Sequence, residues 1–473
     1  MMENTHARPV TSRSDHREAG KALRKQVPRS SHRDWEPAPD RPDPISLLQA
    51  QDEGRIEHLL PIKYGRMLES PFAFLRGSAV VMAADLAATP TTGIEVILCG
   101  DAHLSNFGLF ATPERQLVFD INDFDEAFPG PWEWDLKRLA VSAAVAGREN
   151  GYNEKACRQM AVTITEAYQK AMEHFSKMHL LDVWYYHIDT DAVRALFEAT
   201  SSQRAKKKAK KLVNKARTKT HQQTMEKLTK FEAGRRRITS DPPLLVPLRD
   251  ADLEEELSDQ VVRWIEGGAI ERTWARYLET LPDERRYLLQ KFRVVDAALR
   301  VGGVGSVGTH CWIVLLEGSG GDEWLLLQLK EAGPSVLEQY LDRPRRVSSA
   351  QRVVTGQRLI QAASDIFLGW HTSDLTDRDY YWRQLKDMKG SADVAEMDEA
   401  GFRTYVALCA WCLARAHART GEEAGIRGYI GKNDSFAQAI ADFAVAYADQ
   451  TERDYQALVD AVKSGRVEAE TAI

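Results

Sequence analysis

Residues 292–331 hold three apolar runs cut apart by two clusters of glycine, and this stretch constrains the fold more tightly than any other. Short apolar runs bounded by glycine turns are the pattern of a small antiparallel sheet. The first cluster, Gly303-Val304-Gly305-Ser306-Val307-Gly308, is a G-x-G-x-x-G. A dinucleotide-binding fingerprint needs a helix directly after those glycines, so that its N-terminus meets the pyrophosphate. Here Thr309-His310-Cys311-Trp312-Ile313-Val314 follows, a β-rich run, and that reading is set aside. What remains is a glycine loop between two strands, with a third strand ending on Lys330.

The rest of the chain is organised around this sheet. At 473 residues it is long enough for two or three packed lobes, since single cores stop growing near about 250–300 residues. Residues 1–44 are polar, charged and proline-rich, and are expected to form a disordered tail or a loose docking arm. Residues 45–289 are expected to form the larger, mostly helical part, 290–390 a small β-rich lobe, and 391–473 helices that complete the larger part. The fold class expected is α+β, with helices dominating. Residues 204–237 are strongly basic and read as a solvated helix face. They lack the interleaved aromatics that stack on bases, and the net charge of −6 gives no support for a general nucleic-acid binder.

Five scattered cysteines do not make a disulfide framework. Cys409 and Cys412 have C-x-x-C spacing but lie inside an apolar helical pattern, which reads as core packing. No window reaches the roughly 20 apolar residues of a membrane helix. With no apolar h-region near the start, the expected compartment is the cytoplasm, with no membrane partner.

The chemistry concentrates in Gly100-Asp101-Ala102-His103-Leu104-Ser105-Asn106 and, farther on, in the acidic run holding Asp120, Asp123 and Asp125. Phosphoryl transfer needs a carboxylate to orient the attacking hydroxyl and a few hard oxygen ligands for Mg²⁺. An Asp and an Asn five positions apart, followed by a returning Asp, supply such parts. An Asp- and Asn-rich loop that only caps turns is the structural alternative. A zinc site on Cys99 and His103 has no further ligands at usable spacing.

The first segment resembles the G-D-x-H-x-x-N catalytic loop of aminoglycoside phosphotransferases and related small-molecule kinases. The second, running from Phe119 through Ala140, resembles the metal-binding segment that follows it in those proteins. The resemblance implies Asp101 as the catalytic base or hydroxyl-orienting residue, Asn106 and Asp123 as metal ligands, and Asp135 as a structural aspartate. The motif departs from its usual form at Cys99, where those kinases carry His. By the same resemblance Gly303, Gly305, Ser306 and Gly308 would cover the nucleotide phosphates, and Lys330 would contact them. Its partner acid is left open among Glu331, Glu338 and a glutamine. His103, Asp125 and Arg76 are further candidates; Arg76 could reach a phosphate or pair with an acid near the loop. His417 and Arg419, at a helix end, read as a cap or ion pair rather than a site.

In familiar kinases the glycine loop precedes the catalytic loop; here it follows about two hundred residues later. The expectation is therefore a circularly permuted, two-lobed kinase-like fold, with Lys386, Asp387 and Lys389 shaping its hinge. From about residue 46 to 460 the chain also resembles the bacterial domain of unknown function 2252 family, through segments such as Ser70–Gly77, Gly100–Gly108, Gly303–Leu316 and Leu413–Gly421. Together these imply an ATP- and Mg²⁺-dependent phosphotransferase, or one using another nucleoside triphosphate, acting on a small-molecule or protein hydroxyl. Transfer of AMP to protein from a reversed nucleotide pose, and a nucleotide-binding pseudokinase without turnover, are the competing readings.

Overall fold

Alternation decides how the three apolar runs assemble. In the computed structural model, which describes residues 12–471 apart from 201, 219, 233, 251–268, 321, 344–345, 375 and 386–387, they form the strands Phe292–Arg300, Cys311–Gly318 and Trp324–Glu331. Side chains two apart share a face of a strand. Leu325, Leu327 and Leu329 accordingly cluster with Val314, Leu316 and Trp382 on one side, while Leu326 clusters with Ile313 and Leu315 on the other. Tyr277, from the helix Ala269–Glu279, closes the first side by stacking on Trp382 with ring centroids 4.6 Å apart.

Asp379–Gln384 and then Gly369–Thr372 extend the antiparallel sheet past Trp324–Glu331. At the opposite edge lies Leu245–Pro247. This edge strand comes from a proline-rich stretch that reads in sequence as a break before residue 290, so the sheet extends beyond its expected boundary. Proline has no N–H to give, and an edge strand tolerates it. The register sets Lys330 between Cys311 and Tyr381, and Gln328 opposite Arg383.

The helix Trp132–Glu149 is buried along almost its whole length, and such a helix must be surrounded. Glu154–Phe175, Glu399–Thr420 and Ser435–Lys463 pack on it, so both halves of the chain build the helical body. Leu136 and Leu139 are fully buried at its centre, and each such side chain contributes about 1.5–3 kcal/mol. Cys409 and Cys412 are free thiols in this core, as expected from their apolar surroundings. The fold is thus mixed α and β with antiparallel sheets and a predominance of helix. No described helix is long and apolar enough to cross a membrane.

Two expectations need correction. The polar N-terminal stretch is not a tail over its described part: Arg13–Leu23 is a helix with a capping box between Ser12 and Asp15. It lies on the helix Glu423–Ile430, where a Cβ on Gly20 would collide with the carbonyl of Gly425. Farther on, Arg41 grips Asp85 and Asp454 at 2.7–2.8 Å. The segment docks through its arginines together with a few apolar side chains, Leu23, Val27 and Trp35, too few to lift its composition above that of an unfolded arm. Residues 1–11 lie outside the described residues. The basic stretch, read as one helix, divides into the helices Gln203–Thr218 and His221–Leu228 and a hairpin of Thr229–Glu232 with Arg235–Ile238. Thr220 caps the second helix, and Gly234 at φ +79° makes the turn. Of the expected hinge residues, Lys386 and Asp387 lie outside the described residues.

Candidate functional site

The acidic loops are carried by two small sheets. Asp101, His103 and Asn106 lie between the strand Glu95–Leu98, paired with Phe128–Pro131, and the strand Phe107–Ala111. Phe107–Ala111 pairs with Leu117–Ile121, which delivers Asp123, Asp125 and Glu126. Both loops face the six-stranded sheet across a cleft of about 700 Å³. Asp101, His103, Asn106, Asp123, Asp125, Arg76, Gly303, Gly305, Ser306 and Lys330 all line it. Gly308 and Glu338 do not. Gly308, at φ +84°, turns the chain beside Arg55, and its carbonyl accepts from the Ile56 amide at 2.8 Å. Glu338 accepts from the Ser335 amide at 3.0 Å and pairs with Arg352 at 3.4 Å.

The first loop is held at both ends. Asp135 accepts from the backbone N–H groups of Cys99 at 2.8 Å and Gly100 at 3.0 Å, and lies 3.3 Å from His417 Nε2. Gly100 has φ +80°, and a Cβ there would strike the Glu126 carbonyl, so the two acidic loops meet at a position only glycine can fill. Asn106 Nδ2 donates to the Asp101 carbonyl at 2.7 Å. Arg138 donates from Nε and Nη2 to Asp101 Oδ1 at 2.9 and 2.8 Å. Asp101 Oδ2 is left 3.5 Å from His103 Nε2. Burial holds the His103 imidazole down at about 4, with Asp101 opposing and Arg138 and Arg76 adding to the depression. His103 is therefore a neutral neighbour of Asp101 near neutral pH.

The second loop meets the sheet. Lys330 is 5% exposed and forms an ion pair with Asp125, whose other oxygen accepts from Tyr381 Oη at 2.7 Å. Asp125 is thus the lysine's acid, whereas the sequence left Glu331, Glu338 and a glutamine open. Glu331 instead pairs with His310 and Arg378, and Gln357 on the helix Ser349–Ile360 donates to Gln361. Burial pushes the Asp123 carboxyl up, but Lys330, Arg383 and Lys389 outweigh it and hold it below the usual value. Asp120 is fully buried, bonded through both oxygens to Arg415, and outside the cleft lining.

Several cleft residues carry no sequence signal of their own. Glu126 is raised to about 7 by burial, against Arg352 and the Val336 amide, with Asp125 and Asp101 adding to the rise. It is one acid in an acid-rich run, and no spacing singles it out. Arg300, Gln328 and Arg383 also line the cleft. Strand alternation alone places Gln328 on the face of Lys330, whereas setting Arg383 beside it needs the register.

The donor set fits a magnesium ion better than a protein-enclosed metal. Among the described residues no three His, Cys, Asp or Glu side chains come together as a metal group, which also removes support for zinc on Cys99 and His103. Asn106 Oδ1 has no hydrogen-bond partner among the described residues, and Asp123 accepts only from the Asp125 amide, at 3.3 Å. Two hard oxygen donors opening on a cleft suit an ion that keeps water and phosphate in most of its positions.

A family model described as an uncharacterized protein conserved in bacteria (DUF2252) matches residues 55–461. No curated protein and no solved structure matches the chain.

Proposed function

This chain belongs to the DUF2252 family of bacterial proteins, and from that premise we propose that it is a nucleotide-dependent phosphotransferase of the kinase-like class, acting on a hydroxyl acceptor. The observation that carries the reading is the Lys330–Asp125 pair, which joins the third strand of the glycine-loop sheet to the acidic loop across 205 residues of sequence. Glycine loop, lysine strand, helix Ser349–Ile360 and two further strands follow one another as they do in the nucleotide lobe of kinases. Their position after the catalytic-type loop supports a permuted order.

In this reading Asp101 orients the acceptor hydroxyl and receives its proton. Arg138 occupies Oδ1 and fixes the carboxylate, so Oδ2 is the atom left for the hydroxyl. Lys330 and the glycine loop position the donor phosphates. Asn106 and Asp123 would hold Mg²⁺, which supplies charge neutralisation across phosphate oxygens. Positioning and charge stabilisation suffice, because the transition state asks for little covalent help.

One observation favours a second reading, transfer of AMP. Arg300 and Arg383 stand on the sheet face beside Lys330, where a donor bound in the reversed sense would extend its outer phosphates. ATP labelled at the γ or the α phosphorus separates the two. Incubation with a library of small hydroxyl compounds and with bacterial protein should move γ label into an acceptor, and Asp101→Asn should abolish it. Movement of α label alone selects AMP transfer, and movement of neither contradicts both.

A further inference from the structure

We propose that the sheet side of this cleft holds a second anion subsite, formed by Arg300 and Arg383 beside Lys330, which takes the far end of a phosphate chain and makes the phosphates the dominant recognised part of the donor. The inference rests on the nucleotide reading above and adds which part of the ligand the protein grips.

The geometry begins with the register. Gln328 and Lys330 are two apart on one strand and share a face, as do Tyr381 and Arg383 on the next. Gln328 lies opposite Arg383, and Lys330 opposite Tyr381. Arg300 ends the first strand just before the glycine loop and lines the same cleft. The cleft side of the sheet therefore presents Arg300, Lys330 and Arg383 together.

These cations are not equally matched. Lys330 has Asp125. Arg383 feels Asp123 and Asp125 electrostatically, but its bonded partner is a neutral acceptor, Gln328 Oε1, at 2.8 Å from Nε, and Gln328 is itself fixed by its amide on Cys311 Sγ at 3.0 Å. The Arg300 guanidinium makes no hydrogen bond or ion pair with any described residue, its strand pairing with Leu245 being backbone only. Other largely buried arginines here clasp a carboxylate: Arg415 has Asp120, Arg138 has Asp101, and Arg41 has Asp85 and Asp454. Burial lowers the Arg300 pKa, Cys311 opposes this and Arg383 adds to it, as expected for a cation without a counter-charge.

Arg76 repeats the pattern across the glycine loop. It lines the cleft, its Nε is buried without a hydrogen-bond partner, and its carbonyl lies 3.7 Å from where a Cβ on Gly305 would sit. Asp101, Glu69 and Glu149 act on Arg76 without a hydrogen bond, and a partly buried guanidinium with no bonded carboxylate favours an anion brought from outside. Cations spaced on both flanks of the loop suit a chain of phosphates rather than a single one, and the arginine fork matches phosphate oxygens.

Isothermal titration with Mg²⁺ present, using inorganic triphosphate, ATP, GTP and adenosine, tests this. Triphosphate should bind within about threefold of ATP, GTP should match ATP, and adenosine should give no heat at millimolar concentration. Arg300→Gln should weaken triphosphate by about tenfold or more, the effect of losing one charged hydrogen bond. Arg300→Lys should recover part of the loss. Circular dichroism melting of both variants without ligand verifies that they fold, and Arg383→Gln gives a second route to the same loss. Adenosine binding without triphosphate binding overturns the subsite, as does unchanged triphosphate affinity in both glutamine variants. If ATP binds and triphosphate does not, the subsite alone fails. If neither binds, the nucleotide reading fails and the subsite with it.

Discussion

Two aspartates three positions apart, Asp120 and Asp123, have opposite surroundings. Asp120 is fully buried, and both its oxygens accept from Arg415 Nη2, at 2.9 and 2.7 Å. The Ala362 amide adds a third bond at 2.6 Å, and the same Arg415 nitrogen also donates to the Ile360 carbonyl. Among the described residues Asp123 accepts one hydrogen bond, at 3.3 Å from the Asp125 amide; it lines the cleft and is held below its usual pKa by cations that include Lys330 and Arg383. The first network satisfies the carboxylate wholly from within the protein and holds the helical body to the strand, although Arg415 Nη1 is left without a partner among the described residues. The second is sparse among the described residues and opens on the cleft, which is the arrangement the proposed ligand site requires. The contrast lies in the carboxylates: one has its oxygens filled by the protein, and the other leaves most of its acceptor capacity facing the cleft.

Substitutions can break that contrast. Asp120→Ala leaves Arg415 buried and unpaired and should cost about 3–5 kcal/mol in urea unfolding. Asp123→Ala without ligand should change the same quantity by less than about 1 kcal/mol, because Lys330 keeps Asp125. Equal losses at the two positions would erase the distinction.

Glu126 sharpens it by pH. Its folded pKa of about 7 stands above its ordinary 4.5, so the folded state binds the proton more tightly than the unfolded state. The associated stability is complete below pH 4.5 and is lost as pH rises through 7. The loss amounts to about 3 kcal/mol at most, from 1.36 kcal/mol per pKa unit. Glu126→Gln should therefore be less affected by moving from pH 5 to pH 8 than the wild type is, and equal slopes of unfolding free energy would contradict the assignment. The smallest effect is expected at the exposed pair of Lys208 with Glu396. Lys208→Ala should leave the unfolding midpoint nearly unchanged, and any residual shift should vanish in high salt.

Much of the site was legible before the fold. The loop from Gly100 to Asn106, the glycine loop and Lys330 each carry local spacing, and the cleft brings most of them together. What was not legible depends on distant partners. Asp125 and Asp123 look alike in sequence, and only the packing of Lys330 onto the loop tells them apart. Arg300 and Arg383 are ordinary strand residues until the register puts them on the face of Lys330. The fold shows the same division: glycine-separated apolar runs announce the sheet, whereas the Leu245–Pro247 edge and the arginine-docked N-terminal helix rest on long-range contacts that composition hides.

The central claim is that the sheet and the acidic loop together make one nucleotide site, and thermal unfolding with and without Mg·ATP tests it most directly. At about a hundred times the Kd, a bound ligand adds about 2.7 kcal/mol of stability. The account predicts an upward shift for the wild type that is lost in both Lys330→Ala and Asp123→Ala, one from each side of the junction. No shift with any nucleotide at millimolar concentration, or a full shift in Lys330→Ala, would contradict it.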